Sequence, residues 1–422
     1  MKVFKFGGAS VKNAEAVKNV ESVIKLFKDD LVVVISAMGK TTNGLEKVVE
    51  SYLKKDGKTQ EYLQEVKDFH FNILNDLFTD KNHPIFTEIH NTFVEIEWET
   101  EDEAVREYDY VYDQIVSIGE MLSTKIVSAY LNENGTKNTW LDVRNVIQTD
   151  NTYRNAKVDW VITEQFAQKE IQAKFEKGQN LIITQGFIGS SSELFTTTLG
   201  REGSDFSAGI LAYCLNAESV TIWKDVPGML NADPKWFDVT EKLNNISYHE
   251  AVELAYYGAS VIHPKTIKPL HNKNIPLYVK SFVSPKENGT VINENSTEDS
   301  LIPSFIFEMN QVLISISAKD YSFIMEDNLS HIFGLFSAKG VKINLMQNSA
   351  ISFSVCVDYD NQKTISLIEE LRKDYKVLYN EKLELVTIRH YDDETIKRVT
   401  ENKQIIVEQK SRNTARFVMK DN

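Results

Sequence analysis

Cysteine is scarce in this chain. Two residues in 422, Cys214 and Cys356, cannot build a disulfide framework or a cysteine-rich zinc site, and both read as small buried hydrophobes. Long apolar runs are missing too. None approaches the roughly 20 residues that span a bilayer, so no membrane partner is expected. Met1 leads directly into a strand-like Val3–Phe6, without the basic and apolar stretch of a secretory leader, which points to the cytoplasm. Positive charge is in short supply as well. The 47 Lys and Arg against 61 Asp and Glu leave a net −14, and no basic stripe offers nucleic acid a surface. More than half of that charge lies between Glu95 and Asp113, a run that reads as a solvated helix face. An anionic ligand therefore needs cations gathered in a pocket of its own. Among motifs, G-x-G-x-x-G, H-E-x-x-H and G-x-S-x-G are absent. Gly39-Lys40-Thr41 imitates the end of a Walker A loop, but Val34 stands where its first glycine must be, which excludes a P-loop NTPase.

What is present is ordered by periodicity. Val3–Phe6, a helical pattern through Val17, Val20, Ile24 and Phe27, and a fully apolar Leu31–Ile35 give strand, helix and buried parallel strand. From about Gly44 to Glu107 the pattern is helical and charged. Strands return at Thr139–Val143, Leu181–Thr184, Val220–Trp223 and Pro276–Val279, alternating with helices. The alternation predicts an open, mostly parallel α/β sheet carrying a helical insertion. A polar stretch, Ser284–Ser300, marks a domain boundary. Beyond it come strands Val312–Ser317, Val341–Met346, Ser352–Val357 and Leu383–Ile388, with helices at Asn328–Lys339 and Thr364–Tyr375. That order is ferredoxin-like. The stretch Asp392–Asn422 is expected to hold two short strands and little else.

Three segments place chemistry-bearing residues at strand or helix ends, and a fourth reads as structural. Lys5-Phe6-Gly7-Gly8 sets an ammonium and bare amides where phosphate oxygens can sit, although Gly-Gly is also an ordinary tight turn. Thr197–Asp205 puts Arg201 beside a helix start, with Ser204 or Asp205 as its cap. A guanidinium there suits a carboxylate. Lys224-Asp225 precedes a Pro-Gly turn at a strand's C-terminal end, where open α/β sheets place ligand contacts. Ser247–His263 reads as structural, with a capping box from Ser247 and Glu250, a stop at Gly258 and a packed His263.

Taken in order, K-F-G-G-A-S-V (Lys5–Val11), S-I-G-E (Ser117–Glu120), D-V-R (Asp142–Arg144), T-Q-G-F (Thr184–Phe187), T-T-L-G-R-E-G-S-D (Thr197–Asp205) and D-V-P-G (Asp225–Gly228) resemble the aspartokinases of the amino-acid kinase family. The resemblance covers nearly the whole chain. It implies a three-layer αβα kinase domain over residues 1–295, with its helical insertion at about 44–115. An ACT-type regulatory region over 296–422 follows, its second unit degenerate. It implies transfer of the ATP γ-phosphoryl group, with Mg²⁺, to the side-chain carboxylate of L-aspartate, the first step toward lysine, threonine and methionine. Lys5 and Asp205 would be the catalytic pair. Ser36, Thr42, Glu120, Arg201 and Ser204 would hold aspartate, and Gly7, Gly8, Lys224 and Asp225 the nucleotide, with no metal ligand assigned. Lysine or threonine would be the effector, and the ACT regions would pair in a homodimer.

The chemistry suits these residue types. A carboxylate near pKa 3.9 is already ionised at pH 7, so the problem is repulsion between two anions, which cations and positioning relieve. The sequence departs from the family pattern at Glu202, where a glycine is usual. Leu230 and Ser260 stand where some relatives have a tyrosine and a lysine near the nucleotide, and Asp327 and Asn344 replace a glycine and an aspartate at effector positions. A kinase for another amino acid and a non-catalytic amino-acid sensor are the alternatives. Retention of Lys5, Glu120, Arg201 and Asp205 together speaks against the sensor.

Overall fold

A computed structural model describes residues 1–102, 105–237, 239–259, 262–320 and 322–422. Ser260, one of the departures noted above, lies outside them. The chain opens with β1 (Lys2–Phe6), α1 (Ala14–Ile24) and β2 (Leu31–Ile35). Five helices follow: α2 (Thr41–Lys54), α3 (Thr59–Leu77), α4 (Pro84–Glu101), α5 (Tyr108–Val116) and α6 (Ile118–Glu133). Next come β3 (Thr139–Leu141), β4 (Gln148–Thr149), α7 (Trp160–Ala167), α8 (Ala173–Phe175), β5 (Leu181–Gln185), β6 (Ile188–Ser191) and β7 (Thr196–Thr198). Then follow α9 (Gly203–Cys214), β8 (Ser219–Lys224), β9 (Asn245–Ser247), α10 (Tyr248–Tyr256), α11 (Pro264–Asn272), β10 (Leu277–Ser281) and β11 (Thr290–Asn293).

The described residues divide into two units. The first holds Met1–Met229, Lys242–Val252 and the segment ending at Ser296; the second holds Leu230–Glu241, the segment beginning at Glu253, and Thr297–Asn422. In the first, an eight-stranded sheet runs β3-β5-β2-β1-β8-β10-β11-β9. The pairs from β3 to β10 are parallel, and only β10–β11 is antiparallel. All five β2 residues are buried, as a strand covered on both faces requires. Phe4, Phe6, Val33, Ile35, Ile183 and Trp223 share one core with Val17 and Val20 of α1, Leu45 of α2 and Leu122 and Ile126 of α6. Lys5 alternates to the other face, where α9 packs on β1 and β8. These are the three expected layers.

The second unit contains β12 (Ser304–Ala318), α12 (Glu326–Ala338), β13 (Ile343–Asn348), β14 (Ser352–Asp358), α13 (Lys363–Asp374), β15 (Tyr375–Arg389), α14 (Asp393–Thr400), β16 (Lys403–Lys410) and β17 (Thr414–Asp421). Its sheet order, β13-β14-β12-β15-β17-β16, contains the ferredoxin-like antiparallel arrangement in its first four strands.

Several expectations need correction. The strand at Thr139 stops at Leu141, because Asp142 caps a short 3₁₀ turn, Val143–Asn145, by accepting from Arg144 N–H at 3.0 Å. The boundary stretch contains a paired strand, β11, rather than linker alone. The strand at Leu383 is the second half of a 15-residue strand paired with both halves of β12 across bulges near Gln311. The tail carries a helix, α14, set by an Asp392–Thr395 capping box that short-window apolar counting passes over. The acidic run is solvated at Glu95, Glu101, Asp102, Glu107 and Asp109, but Asp113 is fully buried. Both cysteines are buried and unpaired, and burial pushes each thiol up to about 12.

Candidate functional site

The site gathers at the C-terminal ends of the central parallel strands, the edge where open α/β sheets bind ligands. A cleft of about 550 Å³ is lined by Lys5, Ser36, Thr42, Glu120, Arg201, Ser204, Asp205 and Lys224, eight residues singled out from sequence. Gly7, Gly8 and Asp225 lie outside its lining. Tyr112, Arg154, Phe187, Gly200, Glu202 and Gly203 complete it. Of these, Arg154 carried no sequence signal, sitting in a polar loop that resembles any other.

Local geometry explains the motifs. A Cβ on Gly8 would stand 2.8 Å from Ala37 O and 2.9 Å from Gly39 O, so only glycine lets the loops after β1 and β2 interlock. Gly39 N–H donates to Gly8 O at 3.1 Å across the same junction. A Cβ on Gly186 would lie 2.5 Å from Ser204 Cβ, so that glycine admits the start of α9. Gln185 is fully buried between two segments, accepting from Val143 N–H at 2.7 Å and donating to Thr124 Oγ1 at 2.8 Å. Arg144 forks onto Asp142 and reaches Thr196 Oγ1 at 3.2 Å, so D-V-R braces the neighbouring strand. His263 is likewise structural. Its Nδ1 accepts from Lys265 N–H at 3.1 Å and caps α11, and burial lowers its pKa.

Neither Ser204 nor Asp205 caps α9. The cap residue is Glu202, in the left-handed region at φ 54°, and its side chain makes no capping bond. Ser204 and Asp205 instead sit in the first turn, where the macrodipole favours the carboxylate. Lys5 Nζ stands 2.7 Å from Asp205 Oδ1, with both side chains largely buried. Glu120, in the first turn of α6, is 3% exposed; Ala37 N–H donates to its Oε1 at 3.2 Å, and Oε2 is buried without a partner among the described residues. Burial drives its carboxyl up to about 8, against the pull of the Ala37 and Glu120 amides and Lys5. Four cations (Lys5, Arg154, Arg201, Lys224) and three carboxylates (Glu120, Glu202, Asp205) thus share one cleft. That mixture suits a zwitterion beside a polyanion.

The amino acid kinase family matches residues 1–281. Lysine-sensitive aspartokinase 3 of Escherichia coli is 31% identical over 92% of this chain and 86% of its own length. The chain belongs to the amino acid kinase family, within its aspartokinase branch. Chloroplastic aspartokinase 1 of Arabidopsis thaliana is also 31% identical, over 92% of this chain and 68% of its own. The E. coli aspartokinase III structure with lysine and aspartate superposes at TM-score 0.83 and 29% identity, covering 99% of this chain and 95% of that one. The form with aspartate and ADP gives 0.81 at 28%, covering 99% and 96%. Within the family pattern, Glu202 is the departure nearest the chemistry. Its Oε2 is buried without a partner among the described residues, so the added carboxylate lies inside the cleft wall.

Proposed function

We propose that the chain is an aspartate kinase that moves the γ-phosphoryl group of ATP onto the β-carboxylate of L-aspartate. The observation that carries this is that a buried Glu120 oxygen, without a partner among the described residues, and Arg201 line the cleft that also holds the Lys5–Asp205 pair. Glu120 receives the substrate ammonium, and Arg201 takes its α-carboxylate in a two-pronged grip. Ser36, Thr42 and Ser204 supply neutral hydrogen bonds around it. The β-carboxylate then faces the phosphates. Lys5 and Lys224 carry the charge that repels it, and Gly7, Gly8 and Asp225 flank the nucleotide. Asp205 orients Lys5. Mg²⁺ would enter with the nucleotide, held chiefly by phosphate oxygens. It neutralises phosphate charge when bound. A cytoplasmic location agrees with the two free, buried cysteines.

The first test is trapping of the acyl phosphate as a hydroxamate, with aspartate and glutamate compared at equal concentration. Aspartate should give the larger kcat/KM by at least about tenfold, because one extra methylene forces either the ammonium or the carboxylate off its partner. Equal turnover of both would remove the substrate assignment.

The same reading makes the second unit a regulatory, dimer-forming region that binds lysine or threonine. Its support is the lysine-bound relative and a group of exposed apolar side chains at Phe323, Met325, Phe333, Met346 and Ile351. Asn344 argues for weakened lysine control. Its Nδ2 donates to Asp358 Oδ1 at 3.0 Å and Gln311 Oε1 at 3.1 Å, so an aspartate there would meet a second carboxylate. The amide nitrogen is committed inward, and the remaining oxygen brings no charge for a ligand ammonium. Light scattering should return twice the chain mass, and lysine should inhibit the full chain at higher concentrations than a carboxylate at 344 would require. A lysine titration in wild type and Asn344→Asp checks this; inhibition by neither lysine nor threonine in either protein refutes it.

A further inference from the structure

We propose that Asp113 is a positioning residue for substrate binding, fastening the helical insertion to the loop that presents Arg201; this rests on the aspartate-kinase reading above. Asp113 lies in α5 and is fully buried. Its two oxygens accept from Arg154 N–H at 3.1 and 3.0 Å, from Thr198 N–H at 2.8 Å and from Thr198 Oγ1–H at 2.7 Å. Three donors on two segments converge on an acceptor that has no cation within ion-pair distance among the described residues. The Arg154 guanidinium turns away, reaching Asp109 at 3.3 Å and lying over the rings of Tyr108 and Tyr112. A plain buried tie is more cheaply made by a neutral side chain. Only a carboxylate, however, accepts from all three donors without presenting a donor of its own.

The two fastened segments form one wall of the cleft. Ala156 N–H donates to Thr198 O at 2.9 Å, and a Cβ on Gly200 would lie 3.1 Å from Arg154 O. Arg154, Gly200 and Arg201 all line the cleft. Arg154 is held at φ 62°, a left-handed conformation that a non-glycine residue keeps only when its surroundings impose it. Asp113 grips the amide of that residue and, on β7, the residue three before Arg201. Loosening it shifts the guanidinium that grips the substrate, and leaves the Lys5 side of the cleft alone.

This device titrates. Burial, outweighing the Thr198 and Arg154 donors and reinforced by Asp109, lifts the Asp113 carboxyl to about 6. The titratable groups coupled to it are Asp109 on α5 and Tyr153 on the loop; Arg154 contributes its backbone amide and not its guanidinium, and β7 the neutral Thr198. A proton on Asp113 turns one acceptor into a donor facing other donors. The aspartate KM should therefore rise as pH falls through about 6.

The test is Asp113→Asn in the full chain. At pH 7 the aspartate KM should rise about tenfold or more, since a small displacement of a binding group is costly, while the ATP KM stays within about twofold. Protonation of Glu120 already raises the aspartate KM on acidification, so the Asp113 contribution is the extra steepening of that rise below pH 6, and this steepening should vanish in the variant. Thr198→Val, which removes one donor and disturbs the fold less, should raise the aspartate KM by about threefold and move the acid limb to higher pH. Amide exchange across residues 150–160 and 196–204 should quicken in Asp113→Asn whatever acceptor the enzyme uses. Equal changes in both KM values, a steepening below pH 6 that persists in Asp113→Asn, or unchanged exchange overturns the proposal. Arg201→Ala in the same assay separates the two readings, because an unchanged aspartate KM there sinks the pocket assignment itself.

Discussion

Lys5→Ala is expected to lower kcat by roughly 10²–10³ while leaving the KM for aspartate within a fewfold of wild type. Phosphoryl transfer to a carboxylate asks little covalent chemistry of the protein. The barrier is the approach of one anion to another and the spread of charge over the moving group, so a preorganised ammonium acts where charge shifts. Lys5 meets that requirement through its position. It sits on the central strand of a parallel sheet, one residue from the strand end, with its Nζ fixed 2.7 Å from Asp205 Oδ1. The pairing supplies its own control. Removing Lys5 leaves Asp205 buried without its cation, which costs stability as well as rate. The doubly substituted Lys5→Ala/Asp205→Ala protein restores that balance and should melt nearer wild type than Lys5→Ala, yet stay inactive. Steady-state kinetics beside thermal melts distinguish the effects. A folded Lys5→Ala enzyme with near-normal kcat would end the assignment.

The parts of this molecule that were legible in its sequence are those where one short range of residues carries the whole signal. β2 is an example: five apolar residues in a row, four of them β-branched, read as a strand covered on both faces, and each is buried. Lys5 and Asp205 stood out for a similar reason, since each sits at or beside the end of an element whose periodicity was plain, whereas Glu120 was marked only by the resemblance of its S-I-G-E motif. What escaped was made by pairing across distance. Asp113 looked like one more acid in a solvated run because its three donors come from residues 154 and 198, far along the chain. Arg154 lines the cleft through a loop conformation that no residue pattern announces. The left-handed Glu202 displaced the helix cap by two to three residues from where Ser and Asp preferences put it. Helix α14 was hidden because eight residues with few apolar positions look like a loop until the capping box is counted. Gly8 was recognisable as a glycine of consequence and Gly186 stood inside a family motif, but the reason, a neighbour within 3 Å of any added Cβ, is visible only in three dimensions.

Glu120 sets the second large effect, on affinity rather than rate. With the site empty its carboxyl sits at about 8, because burial opposes charge more than the nearby amides and Lys5 favour it. At pH 7 only about a tenth of the molecules then carry the ionised form that an incoming ammonium requires, and apparent affinity falls by that fraction. Aspartate KM should therefore decrease by up to about tenfold between pH 7 and 9 and flatten above the Glu120 pKa, with a proton released on binding. The Glu120 slope continues on the acid side, and Asp113, two units lower, adds a second break that steepens it, so the two are fitted as two breaks in one profile. Glu120→Gln should abolish the alkaline limb and raise aspartate KM by roughly 10- to 100-fold, the loss expected for a buried hydrogen bond to a charged group. Stability separates this from misfolding. An acid whose folded pKa lies above its unfolded value binds more protons in the native state, so it erodes stability as pH rises from about 4.5 toward 8. Glu120→Gln removes that erosion and should be at least as resistant to urea as wild type at pH 8. A variant that binds aspartate poorly while resisting urea well points to lost recognition of the ammonium. A pH-independent aspartate KM in the wild type would show instead that Glu120 is ionised before substrate arrives, and the ammonium would then have to be sought elsewhere in the cleft.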